Sequence, residues 1–376
     1  MGRVNLMVDV IIAIIKSALL IVAFITSAAY LVYAERKVIS YFQARIGPNR
    51  VGPFGLLQPV ADVVKLLTKE DSRPAGRDDL LYLVAPGIMV IASVFAFAVI
   101  PVTPTFSILG KTVTGYITNL NVGVLYIFAI SGMTAYGAVL GGYASNSKYS
   151  LLGAMRGAAQ QISYEMALGF SLVGVFILAG SVNLSQIIDS QHSLPLVVLQ
   201  PVGFILYLIS ATAEVNRAPF DLPEAEQALV AGYLTEYGGL KWGLYFLGEY
   251  INMVTVSAIA ATLFLGGWRG PLLPGFMWFV AKLAVIIFVL FWLRATLPRL
   301  RYDRLMALGW KVLLPLGLLN IAVTATFVVL GVEWLIPIVT LAALVVVGVA
   351  LALTQQTPAG VSRASHHTAV QPSVTR

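Results

Sequence analysis

No cysteine occurs among the 376 residues, only three are histidine, and only 11% are charged. The first absence excludes a disulfide framework, thiolate-bound zinc and cysteine-ligated iron–sulfur clusters. Histidine is scarcer still in the folded part, because His366 and His367 sit in a polar stretch from Thr354 to Arg376 whose composition predicts disorder. A redox cofactor held by this chain alone is therefore not expected. The scarcity of charge, set against 59% hydrophobic residues and a mean hydropathy of +0.87, excludes a soluble domain folded around one core. No internal repeat is visible, which weighs against secondary transporters built from repeats.

What is present is a series of long apolar runs, at about residues 10–33, 80–101, 121–142, 160–181, 196–213, 242–266, 276–297, 312–331 and 335–353. Each approaches the roughly 20 residues that cross a hydrocarbon core, so the sequence predicts an all-α polytopic membrane protein with nine transmembrane helices. The first run is longer than a signal-peptide core, carries Lys16 and is followed by no clear small-residue cleavage site, and it reads as a retained span. A formal net charge of +7 invites a nucleic-acid reading, but the basic residues are sorted by side. With the N-terminus outside, the outer segments hold only Arg3, Lys111 and Arg269, and Lys16 and Lys282 lie within spans. The remaining Lys and Arg fall inside, which fixes the orientation by the positive-inside rule and removes nucleic acid as a partner. The expected organisation is one transmembrane domain over residues 1–353, with cytosolic loops at 34–79, 143–159, 214–241 and 298–311, and a tail over 354–376.

The first inner loop carries the most information. Gly47-Pro48-Asn49-Arg50-Val51-Gly52-Pro53-Phe54-Gly55 cannot continue a helix, because proline and glycine break it repeatedly. From Leu56 to Lys69 the polar residues Gln58, Asp62, Lys65 and Lys69 recur at helical steps while Leu57, Val60, Val64 and Leu67 line another face. That pattern predicts an amphipathic helix about 21 Å long lying in the interface. A plain membrane-surface anchor fits the pattern equally well. After the fifth span, Glu214-Val215-Asn216-Arg217-Ala218-Pro219-Phe220-Asp221-Leu222-Pro223-Glu224-Ala225-Glu226 must reverse the chain. Asp221 fits a helix cap there, with Glu224 as its reciprocal partner, which leaves Glu214 and Glu226 unexplained.

Two acids fall inside spans, Glu165 in the fourth and Glu249 in the sixth. An ionised acid near a helix centre costs roughly 2.5–3.5 kcal/mol on insertion scales, so such residues pair, face a polar cavity or take up a proton. With Glu214 they form a candidate ionisable file under the cytosolic loops; the plainer alternative is that each bonds one neighbouring helix. In the last inner loop Arg294, Arg299, Arg301 and Arg304 surround Asp303. Most of these arginines read as topology charges against lipid phosphate, and a subset as lining a site.

At these residues the sequence resembles the membrane-arm subunit, called H in bacteria, of proton-pumping NADH:quinone oxidoreductase, respiratory complex I. The matching stretches are Ala34-Glu35-Arg36-Lys37, Gly47 to Gly55 with Leu56-Leu57-Gln58-Pro59 and Ala61-Asp62, Ser145 to Tyr149, Gln161-Ile162-Ser163-Tyr164-Glu165, Glu214 to Glu226, Glu236-Tyr237, Glu249-Tyr250 and Arg301-Tyr302-Asp303. The resemblance implies a chain of the bacterial inner (plasma) membrane that helps wall a quinone chamber and couples quinone reduction to proton translocation. Quinone is then the substrate, FMN and iron–sulfur clusters belong to peripheral-arm partner subunits, and antiporter-like membrane-arm subunits are further partners. It also implies chamber or mouth residues at Arg36, Asp62 and Lys65, joined by Arg294, Arg299 and Asp303. The implied proton route comprises Glu35, Asp79, Glu165, Glu214, Glu224, Glu226 and Glu249.

The chain departs from the family's usual pattern at Ala228, where Glu is frequent, at Arg304, where Gln is usual, and at Gly132, where one bacterial branch carries Glu. A shorter or water-filled route is expected at those points. Two other functions stay open: the related subunit of membrane-bound hydrogenases, and an independent ion antiporter.

Overall fold

The structure, a computed structural model, describes residues 2–108, 111–192, 194–221 and 231–356. Among them, seven helices are long and apolar enough to cross a membrane, and two shorter apolar helices occupy the remaining predicted spans. The chain is all-α and polytopic, with one small antiparallel hairpin, β1 (Phe106–Ile108) and β2 (Lys111–Val113), between spans on the face predicted to be outer.

In chain order the helices are α1 (Gly2–Phe42), α2 (Gln58–Thr68), α3 (Asp79–Phe97), α4 (Gly123–Ser131), α5 (Met133–Ala144), α6 (Lys148–Ala179), α7 (Leu184–Ser190) and α8 (Pro201–Glu214). They continue with α9 (Gly239–Phe264), α10 (Gly275–Thr296), α11 (Tyr302–Leu308), α12 (Leu314–Val329) and α13 (Ile336–Gln356). A π-helical turn at Gly309–Leu313 joins α11 to α12. The axis of the bundle is α9, 89% buried over its most apolar window and packed by α1, α3 and α10. Its sequence suits that position, because Ser257, Ala258, Ala260, Ala261 and Thr262 let neighbouring backbones approach closely. The hydroxyls of Thr255, Ser257 and Thr262 donate to carbonyls four residues back, so no polar atom of theirs is left bare in the apolar core.

Several boundaries differ from the hydropathy reading, each for a physical reason. The first span runs on to Phe42, so Glu35, Arg36 and Lys37 are helical rather than in a loop. No breaker intervenes before Gly47, and Glu35 finds partners inside the bundle. The fourth span begins at Lys148 rather than near residue 160, because Gly153, Ala154, Gly157 and Ala158 form a small-residue stripe buried against neighbouring segments. The third span is interrupted at Gly132. The eighth begins at Tyr302, which places Asp303, Arg304 and Lys311 on helix. The last helix extends through Gln356, and the rest of the predicted tail lies outside the described residues.

The Gly-Pro-rich segment does turn as predicted. Gly55 is buried at φ +86, with the Pro48 backbone packed where a side chain would sit, a conformation that only glycine adopts without strain. The interfacial helix α2 then follows with the expected boundaries to within two residues, and it leans on α9 at Gly243. A Cβ there would lie 2.8 Å from Leu66 Cδ1.

The two intramembrane lysines are both satisfied. Lys16 donates to Thr114 Oγ1 at 3.0 Å. Lys282 donates to the carbonyls of Leu265, Gly267 and Arg269 at 2.5, 3.0 and 2.6 Å, which places an ammonium at the C-terminal end of α9, where the helix dipole favours it.

Between α8 and α12, fully buried Gln200 donates to Thr324 Oγ1 at 2.6 Å and accepts from Asn320 Nδ2 at 2.9 Å. Gln200→Leu strands the Asn320 amide in a dry interior while Thr324 keeps its bond to the Asn320 carbonyl, and we expect a loss of about 1–2 kcal/mol. It would register as a lower thermal midpoint of the detergent-solubilised protein, with Leu208→Ala at the rim of the same helix as the packing control.

Candidate functional site

The end of the bundle that carries the charged loops contains a lateral pocket of about 260 Å³ between α1, α2 and α9. Its walls are apolar, from Ala28, Val32, Leu66, Trp242 and Phe246, and its polar groups are Arg36, Asp62 and Tyr250. Arg36 Nη1 donates to Asp62 Oδ2 at 2.8 Å, and Gln58 Nε2 to Asp62 Oδ1 at 3.1 Å. Because the Arg36 side chain is half exposed, this pair adds little to stability. Its effect is to hold a guanidinium and a carboxylate at the rim of an apolar slot. Such a slot accepts a flat apolar ring that carries hydrogen-bonding oxygens.

Behind the pocket lies Glu35, 3% exposed. The Tyr250 hydroxyl donates to its Oε2 at 2.7 Å, Arg217 Nη1 lies 3.5 Å from Oε1, and Arg294 Nη1 also donates to Oε1. Arg217 stacks over the Tyr250 ring at 4.2 Å. One carboxylate thus joins α1, the reversal after α8, α9 and α10. A buried charge needs such partners, since desolvation alone would drive the group to neutrality.

The reversal is anchored from two sides. Gln160 Nε2 of α6 donates to the carbonyls of Ala213 and Phe220, both at 2.8 Å. Asp221 accepts from Arg299 Nη2 at 2.9 Å; the cap expected of it, together with Glu224 and Glu226, falls on residues outside the described ones. Buried Glu214 ends α8 facing the Ser131 hydroxyl of α4, with Glu165 of α6 in electrostatic range. Glu165 itself borders the break at Gly132, where a Cβ would stand 3.2 Å from its Oε1. Glu249, 2% exposed, accepts from the Tyr233 hydroxyl at 3.1 Å. Tyr233 meets Tyr245 edge-on, Tyr245 meets Tyr237 edge-on, and Tyr237 stacks on Tyr82.

Of the residues singled out from sequence, Arg36 and Asp62 meet at the pocket, Glu35 and Arg294 meet behind it, and Glu165 and Glu214 lie within electrostatic range of each other. Three are placed elsewhere. Lys65 is exposed on α2 and Asp303 is exposed in the first turn of α11. Asp79 pairs with Arg77 at 2.5 Å with its side chain 81% exposed. Sequence reasoning missed Tyr250, Tyr233 and Trp242 as site residues, since aromatic positions on a span read as packing. It also missed Asp71, which Lys241 binds at 2.9 Å and Arg73 at 3.0 Å. The Lys241 hydrogen bond holds its carboxyl below the usual carboxylate range. Burial pushes the nearby Tyr237 phenol up. Among the described residues no three His, Asp or Glu side chains converge to hold a metal ion.

A family model described as NADH dehydrogenase matches residues 15–325. The chain is 53% identical over 322 residues to the NADH-quinone oxidoreductase H subunit numbered 1 in Geobacter metallireducens, covering 86% of this chain and 98% of that one. It is 54% identical over 309 residues to the H subunit numbered 2 in Geobacter sulfurreducens, with 82% and 94% covered. It is also 54% identical over 306 residues to the H subunit of Thermomicrobium roseum, with 79% and 90% covered.

Neutralising Glu35 removes a buried carboxylate that faces two guanidiniums. Glu35→Gln is expected to cost about 3–5 kcal/mol, as when one partner of a buried pair is removed. Asp79→Asn, at an exposed pair, should stay within about 0.5 kcal/mol. Thermal unfolding of the two purified variants in detergent checks the contrast, and equal losses would contradict it.

Proposed function

The chain belongs to the NADH dehydrogenase family, among the H subunits of NADH-quinone oxidoreductase, and from that premise we propose that it walls a quinone site and starts a proton route. The observation that carries this reading is the double role of Tyr250, which lines the pocket and also donates its hydroxyl to Glu35. A flat ring in the slot sits beside the Arg36–Asp62 pair, one ring away from the buried charge cluster.

Quinone reduction consumes two electrons and two protons per quinol. The electrons come from FMN and iron–sulfur clusters on peripheral-arm partners. This chain supplies the apolar wall, with Arg36 and Asp62 to orient a quinone oxygen. A change of charge in the pocket alters the field at Tyr250 and Glu35. Arg217 then carries the change into the reversal that holds Glu214, Glu224 and Glu226, because the same guanidinium stacks on Tyr250 and faces Glu35. Glu214 and Glu165 share the next step across the Gly132 break, and Glu249 with Tyr233 supplies the branch toward antiporter-like membrane subunits. Arg294 and Arg299 serve through Glu35 and Asp221, by their contacts, and not on quinone itself. Lys65, Asp79 and Asp303, all at the surface, fit contacts with peripheral subunits at the mouth. The compartment that suits this assembly is the bacterial plasma membrane.

Glu214→Gln keeps the shape and removes the titratable proton. It should lower NADH-driven proton pumping and quinone reductase activity by about a hundredfold, the low side of what a positioned proton-transfer group contributes. Oxidation of NADH by a soluble artificial acceptor should be unchanged. Full coupled activity in an assembled Glu214→Gln complex would remove Glu214 from the route.

A further inference from the structure

On the face opposite the charged loops, the end of α9 and the start of α10 enclose a second pocket of about 770 Å³. Its polar lining includes Gln191, His192, Arg269 and Lys282, and its aromatic walls are Trp268 and Trp278. Basic residues are scarce on this predicted outer face, so topology gives no reason for a charge at Arg269. Its visible partner is Asp189, at 2.8 Å from Nη2. That carboxylate is 66% exposed in its side chain, so solvent screens the pair and leaves much of the guanidinium charge to the pocket. Arg269 Nε is shielded from solvent and has no hydrogen-bond partner among the described residues. Lys282 adds a second positive charge in the wall, held by backbone carbonyls and paired with no carboxylate among the described residues.

The rim points to the kind of ligand. Leu272 and Leu273 are exposed at the tip of the connecting loop, and Trp278 Nε1 pins that tip by donating to the Pro271 carbonyl at 2.6 Å. Exposed leucines beside two tryptophans are the composition of a membrane–water boundary. A site at this depth with excess positive charge matches a molecule that has an anionic head and apolar chains. We infer that this pocket seats the phosphate headgroup of an acidic phospholipid of the outer leaflet, with Arg269 and His192 toward the phosphate and Leu272 and Leu273 among the acyl chains. The inference stands on this pocket alone and does not depend on the quinone reading.

The test places a photo-crosslinking benzoylphenylalanine at Leu273 in the chain assembled with its partner subunits. The assembly is held in nanodiscs of equal phosphatidylglycerol and phosphatidylcholine, and the adducts are identified by mass spectrometry. Phosphatidylglycerol adducts should exceed phosphatidylcholine adducts by about fivefold, the factor one basic side chain contributes at a lipid surface. Arg269→Gln should bring the ratio near parity, and Arg269→Lys should keep most of it. If Arg269→Gln does not assemble, the parent protein in about 1 M salt reads the same property, because screening collapses the preference. Parity in the parent at low salt, an unchanged ratio in Arg269→Gln or at high salt, or adducts chiefly to another polypeptide would each overturn the proposal.

Discussion

A carboxylate taken out of water at the end of a membrane bundle must be matched by positive charge, and Glu35 meets that demand by drawing four segments of the chain together. Its partners come from α9, from the reversal after α8 and from α10. None of these segments is adjacent in sequence to α1. Buried ion pairs are weak evidence for net stability, because desolvation consumes most of the Coulombic gain. What the cluster does fix is position. With Arg217 stacked on Tyr250 and Tyr250 bonded to Glu35, the wall of the pocket and the acidic reversal cannot shift independently of one another.

That constraint explains why the loops on the charged face are so well tied. Gln160 binds the carbonyls of Ala213 and Phe220, Arg299 binds Asp221, and the Leu300 amide donates to the Pro219 carbonyl at 3.0 Å. On the other side of the pocket, Lys241 reaches Asp71 while Tyr82 donates to the Glu236 carbonyl at 2.7 Å. Residues that would be flexible in a plain connecting loop are therefore held in place around the site.

Much of the architecture was legible because membranes impose simple rules. Apolar length marked the spans, the Pro-Gly run marked a turn, and the polar stripe from Gln58 marked α2. The errors came where burial changed the meaning of a residue. Glu35 and Arg36 looked like the end of a helix because charges usually sit outside the bilayer, yet their partners keep the helix going. Gly153 and Ala154 looked like loop because small residues carry little hydropathy, although they permit the closest helix contacts. For the site, Asp62 was visible through its helical spacing from Gln58. Its pairing with Arg36 is long-range and left no local trace. Tyr250 and Tyr233 were hidden for a different reason, since a tyrosine on an apolar span looks the same whether it fills a core or binds a buried acid.

The Gly132 break bears on how the acids communicate. A side chain at that position would crowd Glu165, standing 3.2 and 3.4 Å from its two carboxylate oxygens. Glycine instead lets Glu165 pack directly against the break, with Ser131 hydrogen-bonded to Glu214 nearby. A relay by water tolerates small changes in spacing that a direct carboxylate–carboxylate bond does not. On the proposed route such a relay would let Glu214 and Glu165 exchange a proton without both being charged at close range, an arrangement that two buried acids resist. If Glu165 carries protons as proposed, the interruption of the third span belongs to that route rather than being a defect in a helix, because only glycine at residue 132 leaves the Glu165 carboxylate its place against the break.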